Sequence, residues 1–364
     1  MLIETRPNEQ FNHERLAFAP HIGLAGASGR LGRSIMRLWP DYRFTPLEHT
    51  GTVNLSSNIG EVVSGFDITN FDDVARAVEL MARNGVKTVI NCAGDVRVDK
   101  AEPNRGNRDS NMWKVHVDGT RNLAKAAKEH GLGFIDASTE YVFWGKPVDP
   151  NGNYSNYQYS EDEVPNLDIN DKTPGSTWYG ITKAYGEQAA LQEYPEGTIV
   201  VRFPQVQLPA GGLFMATINQ LAKGVPFTRV ENQLISPMSD VTAVHALSLL
   251  EAALRDKLQN GQKNPAPIYH LSSKDAFPSI EICMMLAEVL GVGEKAKRLI
   301  TPTTLEELVA TGQQGVIRPH NSFLSANRFE SDFGAGILQS TAQEINLFVT
   351  TYQESISKAF TSTS

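Results

Sequence analysis

Cysteine is almost absent from this chain of 364 residues, which contains only Cys92 and Cys283, far apart and each within an apolar segment. Two separated cysteines provide neither a disulfide framework nor a cysteine-based zinc site. The eight histidines show no i, i+4 pairing with a nearby carboxylate that would indicate zinc. We therefore expect two small, buried, apolar thiols and no metal site.

The sequence also lacks a long apolar run and an excess of positive charge. No stretch approaches the ~18 to 20 apolar residues of a membrane-spanning helix. The first twenty residues contain Glu4, Glu9 and Glu14 where a secretory signal would have an apolar core. Thirty-three basic and forty-one acidic residues give a net charge of −8, which repels a phosphate backbone. We expect a soluble, cytoplasmic protein that binds neither a membrane nor nucleic acid.

Short apolar strands alternate with amphipathic helices over the first part of the chain. The predicted strands cover residues 21–25, 43–48, 87–92, 133–138 and 198–203, and the predicted helices cover residues 30–38, 71–84, 112–130 and 176–193. Repeated strand-helix units of this kind form a parallel sheet with helices on both faces. The sequence therefore predicts an α/β fold with a Rossmann-like, doubly wound parallel sheet.

Three glycines, Gly26, Gly29 and Gly32, are spaced GxxGxxG between the first strand and the first helix. Glycines there allow a tight turn and bring a pyrophosphate close to the N–H groups of the helix N-terminus. The stretch predicts a dinucleotide site, and the alternative is a tight turn without a ligand. Glu48 could bind the ribose hydroxyls of NAD, and Arg30 could pair with the additional phosphate of NADP. Either side chain could equally be solvated surface.

The alternation weakens beyond Pro204, which indicates a smaller C-terminal lobe. Its predicted elements are helices near residues 213–223, 240–254 and 280–290, a strand at 268–272 and a final helix with Ile345, Phe348, Tyr352 and Ile356 on its apolar face. We divide the chain into an N-terminal arm (1–19), an NAD(P)-binding Rossmann domain (20–204) and a substrate-binding lobe with the C-terminal helix (205–235 and 273–364). Segment 236–272 is expected to return to the main sheet.

Tyr179 and Lys183 lie four residues apart on a predicted helix, so their side chains share one face. A nearby ammonium favours tyrosinate and would lower the pKa of the phenol from ~10, so that it could transfer a proton near neutrality. Ser138 and Thr139 end a predicted strand, at the sheet edge where doubly wound folds bind ligands. A hydroxyl there can hydrogen-bond a substrate carbonyl. The alternatives are an ordinary surface helix and hydroxyls that only cap the following turn.

Eight stretches of the chain follow the order in which they occur in one family. They are GASGRLG, FDITN, TVINCAGDVRVDKAE, DGTRNLAKAAKEHG, STEYVF, YGITKAYGE, YHLSS and RPHNSFLSANRF, between residues 22 and 334. In them the chain resembles the extended short-chain dehydrogenases/reductases, and most specifically the dTDP-4-dehydrorhamnose reductase family. The resemblance implies NAD(P)H-dependent reduction of the 4-keto group of a 6-deoxy sugar nucleotide, for deoxysugar or surface-polysaccharide synthesis. A homodimer is compatible with it.

The resemblance also implies a role for each matching residue. Thr139 would polarise the carbonyl, Tyr179 would donate the proton, and Lys183 would tune the tyrosine and hold the nicotinamide ribose of NADP(H) or NAD(H). The cofactor residues, besides Lys183, would be Gly26, Ser28, Gly29, Arg30, Leu31, Gly32, Glu48, Asp67, Ile68, Ala93, Gly94, Phe203 and Pro204. The residues on the substrate side would be Ser138, Glu140 and Arg318.

The chain departs from that family mainly on the substrate side. The family's STDYVF reads STEYVF, which lengthens the side chain at Glu140, and His116 replaces an asparagine. The segment after the TIVV strand reads FPQVQ, without the family's tryptophan. The loop 144–178, with Tyr154, Tyr157 and Tyr159, is longer than in the family. It forms either a lid over a different sugar pocket or a surface insertion with its own aromatic cluster.

Two other functions fit the same architecture. One is a non-catalytic regulatory subunit that binds a partner enzyme, as the methionine adenosyltransferase beta subunit does. The other is a sugar-nucleotide epimerase or dehydratase of the same superfamily. Retention of Thr139, Tyr179 and Lys183 together favours an enzyme over a binding subunit. An epimerase or dehydratase would need a further acid/base pair, and the sequence reveals no clear one.

Overall fold

The computed structural model describes residues 19–49, 58–144, 157–264 and 267–361. The predicted N-terminal arm, apart from residue 19, lies outside the described residues, and so does Tyr154 of the long loop. No helix in the described part of the chain is long and apolar enough to cross a membrane.

A parallel sheet of seven strands forms the centre of the molecule. Its strands are β1 (His21–Ala25), β2 (Arg43–Glu48), β3 (Val63–Ser64), β4 (Thr88–Asn91), β5 (Gly133–Thr139), β6 (Thr198–Phe203) and β7 (Ile268–His270). Their order across the sheet is β7-β6-β5-β4-β1-β2-β3, and every neighbouring pair is parallel. The predicted doubly wound α/β fold is therefore confirmed. Because the chain moves outward from β1 in both directions, a crevice opens at the carboxyl ends of β1 and β4.

Helices cover both faces of this sheet and continue into the C-terminal part. They are α1 (Arg30–Leu38), α2 (Phe71–Arg83), α3 (Val98–Ala101), α4 (Asn111–Trp113), α5 (Thr120–Glu129), α6 (Trp178–Glu193), α7 (Leu213–Lys223), α8 (Asp240–Gln259), α9 (Ser279–Val289), α10 (Gly293–Leu299), α11 (Leu305–Ala310), α12 (Asn327–Phe333), α13 (Thr341–Thr351) and α14 (Gln353–Thr361). Short 3-10 turns cover Glu102–Asn104 and Glu140–Val142, and a π-helical segment covers Lys114–Gly119.

The sheet is buried on both faces, which explains the unbroken apolar runs of its strands. One face packs on α1 and α8, where Ile35 and Leu247 are fully or almost fully buried. The other face packs on α2 and α5 through Val78 and Leu123. Each of these four helices therefore packs an apolar side on the sheet.

Two predicted helices are interrupted. The helix expected over residues 112–130 contains the π-helical segment between α4 and α5, a feature often found at functional sites. The final helix is broken at Tyr352 into α13 and α14. The hydroxyl of Tyr352 hydrogen-bonds Asp240 at 2.7 Å, and Ser34 of α1 donates to the same carboxylate at 2.6 Å. Tyr352, at the break, therefore lies close to α1, which packs on the sheet.

The C-terminal part has its own apolar cluster, formed by Phe214, Ile282, Leu286, Ile345 and Phe348 among others. Three pairs of short strands connect it: Val206–Gln207 with Met238–Ser239, Leu234–Ile235 with Phe277–Pro278, and Phe227–Val230 with Ile300–Thr303. Strand β7 lies beside β6 in the main sheet. The division into a cofactor domain and a substrate lobe stays a prediction.

A buried ion pair fastens α6 to β6. The guanidinium of Arg202 donates to the Glu187 carboxylate at 2.7 and 3.0 Å, and both side chains are almost completely buried. His270 of β7 lies 3.1 Å from the same guanidinium. Burial, followed by the charge of Arg202, lowers the pKa of His270 to about 3, so the neutral imidazole can accept this hydrogen bond.

Replacing Glu187 by glutamine should strongly destabilise the protein. The change leaves the Arg202 charge buried without its partner, which costs ~3 to 5 kcal/mol. Urea unfolding measures the loss. The matched control is Glu354→Gln, which breaks an exposed pair with Lys358 and should barely move the unfolding midpoint. Equal shifts in the two variants would contradict the structural importance of the buried pair.

Candidate active site

A cavity of about 550 Å³ opens at the carboxyl ends of the central strands. Its wall contains part of the predicted cofactor set, namely Gly26, Ser28, Gly29, Asp67, Ile68, Ala93 and Gly94. The sequence analysis did not assign other residues of the wall, among them His49, Arg97, Asn111 and Lys114. The cavity therefore joins the glycine turn, the end of β4 and the segment before α2 into one elongated site.

The glycine turn fits a dinucleotide because it brings the backbone at Gly26 close to the backbone at Ala93. Gly26 has a φ of 74°, and a Cβ at this position would lie 2.6 Å from the Ala93 nitrogen. Gly29 caps α1, and its own N–H donates to the Gly26 carbonyl at 2.9 Å. The N-terminus of α1 therefore opens on the cavity, where its N–H groups can hold a pyrophosphate.

The remaining predicted cofactor residues do not belong to the wall of this cavity in the described part of the chain. A Cβ on Gly211 would lie 2.8 Å from Arg30 Nη1, so this guanidinium lies beside the C-terminal lobe. Glu48 is buried, with one carboxylate oxygen unpaired among the described residues, and the neighbouring His49 is on the cavity wall. Leu31 and Gly32 belong to the first turn of α1. Phe203, followed by Pro204, lies opposite Thr139 in the register of β5 and β6.

Helix α6 places Tyr179 and Lys183 at the end of β5. Thr177 caps the helix by accepting the Gly180 N–H at 3.1 Å. A Cβ at Gly180 would lie 1.9 Å from the Tyr141 carbonyl oxygen, so glycine is required for this contact between α6 and the turn after β5. The close approach brings the partly buried Tyr179 side chain beside the Thr139 hydroxyl. The structure therefore brings the three predicted catalytic residues to one place.

The ionisation of Tyr179 differs from the sequence-based expectation. Burial raises the pKa of Tyr179 well above its ordinary value, and the neighbouring Glu140 adds to the shift. The expected lowering by Lys183 does not dominate, because the lysine ammonium points towards Asp136. Tyr179 is therefore a protonated phenol at neutral pH, as a proton donor must be.

The three predicted substrate-side residues have different surroundings. Glu140 is buried beside Thr139, whose hydroxyl donates to it at 3.2 Å, and burial raises the pKa of Glu140 to about 8. The side chain of Ser138 points to the opposite face of the sheet from that of Thr139, and its hydroxyl donates a hydrogen bond to Glu187. Arg318 forms two hydrogen bonds to Asp99, at 2.7 and 2.9 Å. Of the three, Glu140 contacts Thr139 through a side-chain hydrogen bond.

His116, a departure from the family pattern, lies between the cavity and α6. Its Nε2 accepts the Asp95 N–H at 3.0 Å, and its Nδ1 lies 2.9 Å from the Thr182 hydroxyl. Burial, followed by the charge of Lys183, lowers the pKa of His116 to about 3. The imidazole is therefore neutral and connects the π-helical segment to both parts of the site.

Asp136, which the sequence patterns did not single out, lies fully buried on β5 near Lys183. A charged residue inside an apolar strand is rarely buried without a partner, and this was the available signal. Cys283 is buried as expected, whereas Cys92 follows β4 at the cavity wall and is partly exposed. Among the described residues, no group of three or more histidine, cysteine or acidic side chains could hold a metal ion.

The described part of the long loop is attached to the body of the protein. Tyr159 is buried and stacks on Phe143 with ring centroids 4.2 Å apart. Its backbone N–H and carbonyl bond Phe323 and Ser325 at 2.9 and 2.8 Å. This half of the loop is therefore packed on the body of the protein through Tyr159, and the choice between a lid and a surface insertion stays a prediction.

Glu140 should make stability fall as the pH rises from about 5 to about 8. The folded protein keeps a proton on Glu140 up to its raised pKa, whereas an unfolded glutamate loses it near ~4.3, so unfolding becomes easier by about 1.4 kcal/mol per pH unit between the two values. Urea unfolding at several pH values measures this slope. Glu140→Gln should flatten it and Glu354→Gln should leave it unchanged. Equal slopes in wild type and Glu140→Gln would show that Glu140 does not hold the proton.

Comparison with known proteins agrees with this architecture. Residues 21–353 match the family model described as RmlD substrate binding domain. A dTDP-4-dehydrorhamnose reductase from Aggregatibacter actinomycetemcomitans is 26% identical over 320 residues, which are 85% of this chain and 92% of that protein. Methionine adenosyltransferase 2 subunit beta from Xenopus laevis is 26% identical over 332 residues, which are 89% of this chain and 85% of that protein.

A solved structure extends the agreement to three dimensions. The crystal structure of dTDP-4-dehydrorhamnose reductase from Bacillus anthracis str. Ames in complex with NADP aligns with a TM-score of 0.67 at 20% identity, and the alignment covers 92% of this chain and 100% of that one. The shared fold is thus established over nearly the whole chain. Because the family model also spans most of the sequence, this protein belongs to the RmlD substrate binding domain family.

Proposed function

We propose that this protein is an oxidoreductase that reduces the 4-keto group of a 6-deoxy sugar nucleotide of the dTDP-4-dehydrorhamnose type, with NADPH or NADH as reductant. The main support is the protonated phenol of Tyr179, a partly buried side chain that lies beside the Thr139 hydroxyl at the carboxyl edge of the sheet. A proton donor and a hydroxyl side by side are what the reduction of a carbonyl group requires. We further propose a cytoplasmic location and a role in deoxysugar or polysaccharide synthesis.

The cofactor site would consist of the cavity and the adjoining face of α6. The N-terminus of α1 with Gly26 and Gly29 would bind the pyrophosphate, Asp67 and Ile68 would contact the adenine end, and Ala93 and Gly94 would line the path between them. When bound, the reduced nicotinamide supplies the hydride. Lys183 would hold the nicotinamide ribose.

The proton transfer follows from the positions of Thr139 and Tyr179. The Thr139 hydroxyl would hydrogen-bond the substrate carbonyl and so favour the negative charge that develops on its oxygen. Tyr179 would then give its proton to that oxygen. Burial keeps the phenol protonated until this more basic acceptor forms, because it raises the pKa of Tyr179. The Lys183 ammonium, on the same helix face, would stabilise the tyrosinate that remains.

The substrate side is defined best by Glu140. Its raised pKa makes the side chain a neutral acid through most of the physiological range, so it can donate a hydrogen bond to a sugar oxygen. Ser138 and Arg318, which bond Glu187 and Asp99, would act by shaping the site. The sugar and base of the substrate are to be identified with a panel of keto-sugar nucleotides.

A regulatory subunit is the second candidate, since the chain is as similar to methionine adenosyltransferase 2 subunit beta as to the reductase from Aggregatibacter, at 26% identity each. The grouping of Thr139, Tyr179 and Lys183 favours catalysis, because binding alone needs no proton donor. Dinucleotide binding without turnover on any keto-sugar nucleotide would favour the regulatory function.

Tyr179→Phe should reduce turnover ~10²- to 10⁴-fold while leaving the dissociation constant of NADPH nearly unchanged, because the phenol acts in the chemical step. Initial rates with dTDP-4-dehydro-L-rhamnose and fluorescence titration with NADPH measure the two quantities. Tyr194→Phe, at the other end of α6, is the matched control and should behave as wild type. Normal turnover in Tyr179→Phe would refute the proposed proton donor.

Gly29→Val should weaken NADPH binding by ~10-fold or more, equivalent to ~1.4 kcal/mol. A side chain at Gly29 would occupy the cavity wall, and its Cβ would already lie 3.0 Å from the Gly26 carbonyl oxygen. Isothermal titration gives the affinity, with Gly29→Ala as the smaller matched change. Thermal unfolding without cofactor checks that the variant is folded. Unchanged affinity in a folded Gly29→Val protein would place the pyrophosphate elsewhere.

A further inference from the structure

Asp136 is the least expected charged residue of the main sheet. It lies in the middle of β5 with no exposed surface, and its neighbours Ile135 and Phe134 are equally buried. Burial raises the pKa of Asp136, and the adjacent Lys183 ammonium opposes the rise. A carboxylate in such a position costs several kcal/mol unless charges and donors surround it. The groups that surround the Asp136 carboxylate therefore indicate its role.

Each oxygen of the Asp136 carboxylate has a different partner. Oδ2 accepts a hydrogen bond from Lys183 Nζ at 3.4 Å, and both side chains are almost fully buried. Oδ1 accepts one from Asn91 Nδ2 at 2.7 Å. The carboxylate thus lies between the catalytic helix α6 and the last residue of β4.

Asn91 extends this contact to the cofactor cavity. Its side-chain oxygen accepts the N–H of Ala93, a residue of the cavity wall, at 3.1 Å. Its amide nitrogen also lies 3.2 Å from the Thr120 hydroxyl. An amide that accepts from Ala93 must turn its N–H groups towards Asp136, so the orientation of the network is fixed.

The long Lys183–Asp136 contact suits a lysine that must also bind other groups. An ammonium has three donors, and at 3.4 Å Asp136 takes one of them without a short, fixed bond. Two N–H donors of the ammonium remain, one for a ribose and one for a group near Tyr179. The negative charge nevertheless keeps the buried ammonium from being unpaired.

We propose that Asp136 is a positioning residue, which holds the Lys183 side chain in place on the face of α6 that carries Tyr179 and, through Asn91, joins it to the Ala93 segment of the cofactor site. This inference rests on the proposed reductase function, since it assigns a purpose to the lysine of that site. Asp136 itself does not contact the substrate.

Several other ionisable groups face this pair and enter any pH dependence. Tyr179 and Glu187 lie on α6, Cys92 follows β4 and His116 lies on the π-helical segment. Glu140, which follows β5, acts on Tyr179. Arg202 of β6 reaches the pair only through Glu187. The Asp136→Asn substitution replaces none of these residues, removes one charge and keeps the shape of the side chain.

The first test compares Asp136→Asn with wild type in the pH profile of kcat and in NADPH affinity. The Asp136 charge contributes to the raised pKa of Tyr179, so without it the phenol loses its proton more easily and the alkaline limb of kcat should move to lower pH. NADPH binding should weaken by about tenfold because the ribose ligand is no longer held in place. Binding is measured by titration, independently of turnover.

Thr120→Val is the matched control, because it removes another hydrogen bond of Asn91 and leaves the charge pair intact. It should keep the wild-type pH profile and affinity. If Asp136→Asn also keeps both, the proposal is overturned. If the wild-type chain has no turnover at all, the reductase function fails, but the NADPH titration and the stability comparison below still test Asp136.

Urea unfolding of a double variant keeps the test decisive if Asp136→Asn is too unstable to assay. Under the proposal, Asp136→Asn loses stability because it leaves the Lys183 ammonium unpaired. The combination of Asp136→Asn with Lys183→Met should therefore be more stable than Asp136→Asn alone. If the double variant is as unstable as the single one, Asp136 supports the fold independently of Lys183 and the proposal is wrong.

Discussion

The packing of α6 on β5 and β6 through two buried ion pairs is the constraint on which the active site depends. Arg202–Glu187 and Lys183–Asp136 lie one turn apart along the helix, and both are almost inaccessible to water. Removing either partner would leave a buried charge, so the helix has little freedom to shift or rotate. This rigidity is what allows the Tyr179 phenol to meet the Thr139 hydroxyl at the end of the central strand.

Much of this arrangement could be predicted from local sequence patterns. Strand β6 and helix α1 have the predicted bounds, because an unbroken β-branched run and a glycine turn followed by an amphipathic helix are local signals. The cavity wall contains seven of the predicted cofactor residues. Gly26 and Gly29 follow from the glycine turn, since a βα turn lies at the carboxyl edge of a parallel sheet, whereas Asp67, Ile68, Ala93 and Gly94 were implied by the family resemblance.

The features that could not be predicted depend on contacts between distant residues. Asp136 and Lys183 are 47 positions apart, and only the packing of α6 on β5 brings them together. Burial, together with the neighbouring Glu140, explains why the tyrosine keeps its proton, where the YxxxK pattern alone suggested the opposite shift of its pKa. The π-helical segment at His116 and the break of the final helix at Tyr352 likewise arise from tertiary packing rather than from helix propensity.

The most direct test of a reductase is the transfer of the hydride itself. The purified chain would be incubated with dTDP-4-dehydro-L-rhamnose and NADPH deuterated at the reactive carbon of the nicotinamide, and the sugar nucleotide would be analysed by mass spectrometry. A reductase must produce a reduced sugar nucleotide that contains deuterium, in step with the oxidation of the cofactor. Bound cofactor with no deuterium in any of a panel of keto-sugar nucleotides would contradict the assignment and leave a dinucleotide-binding subunit.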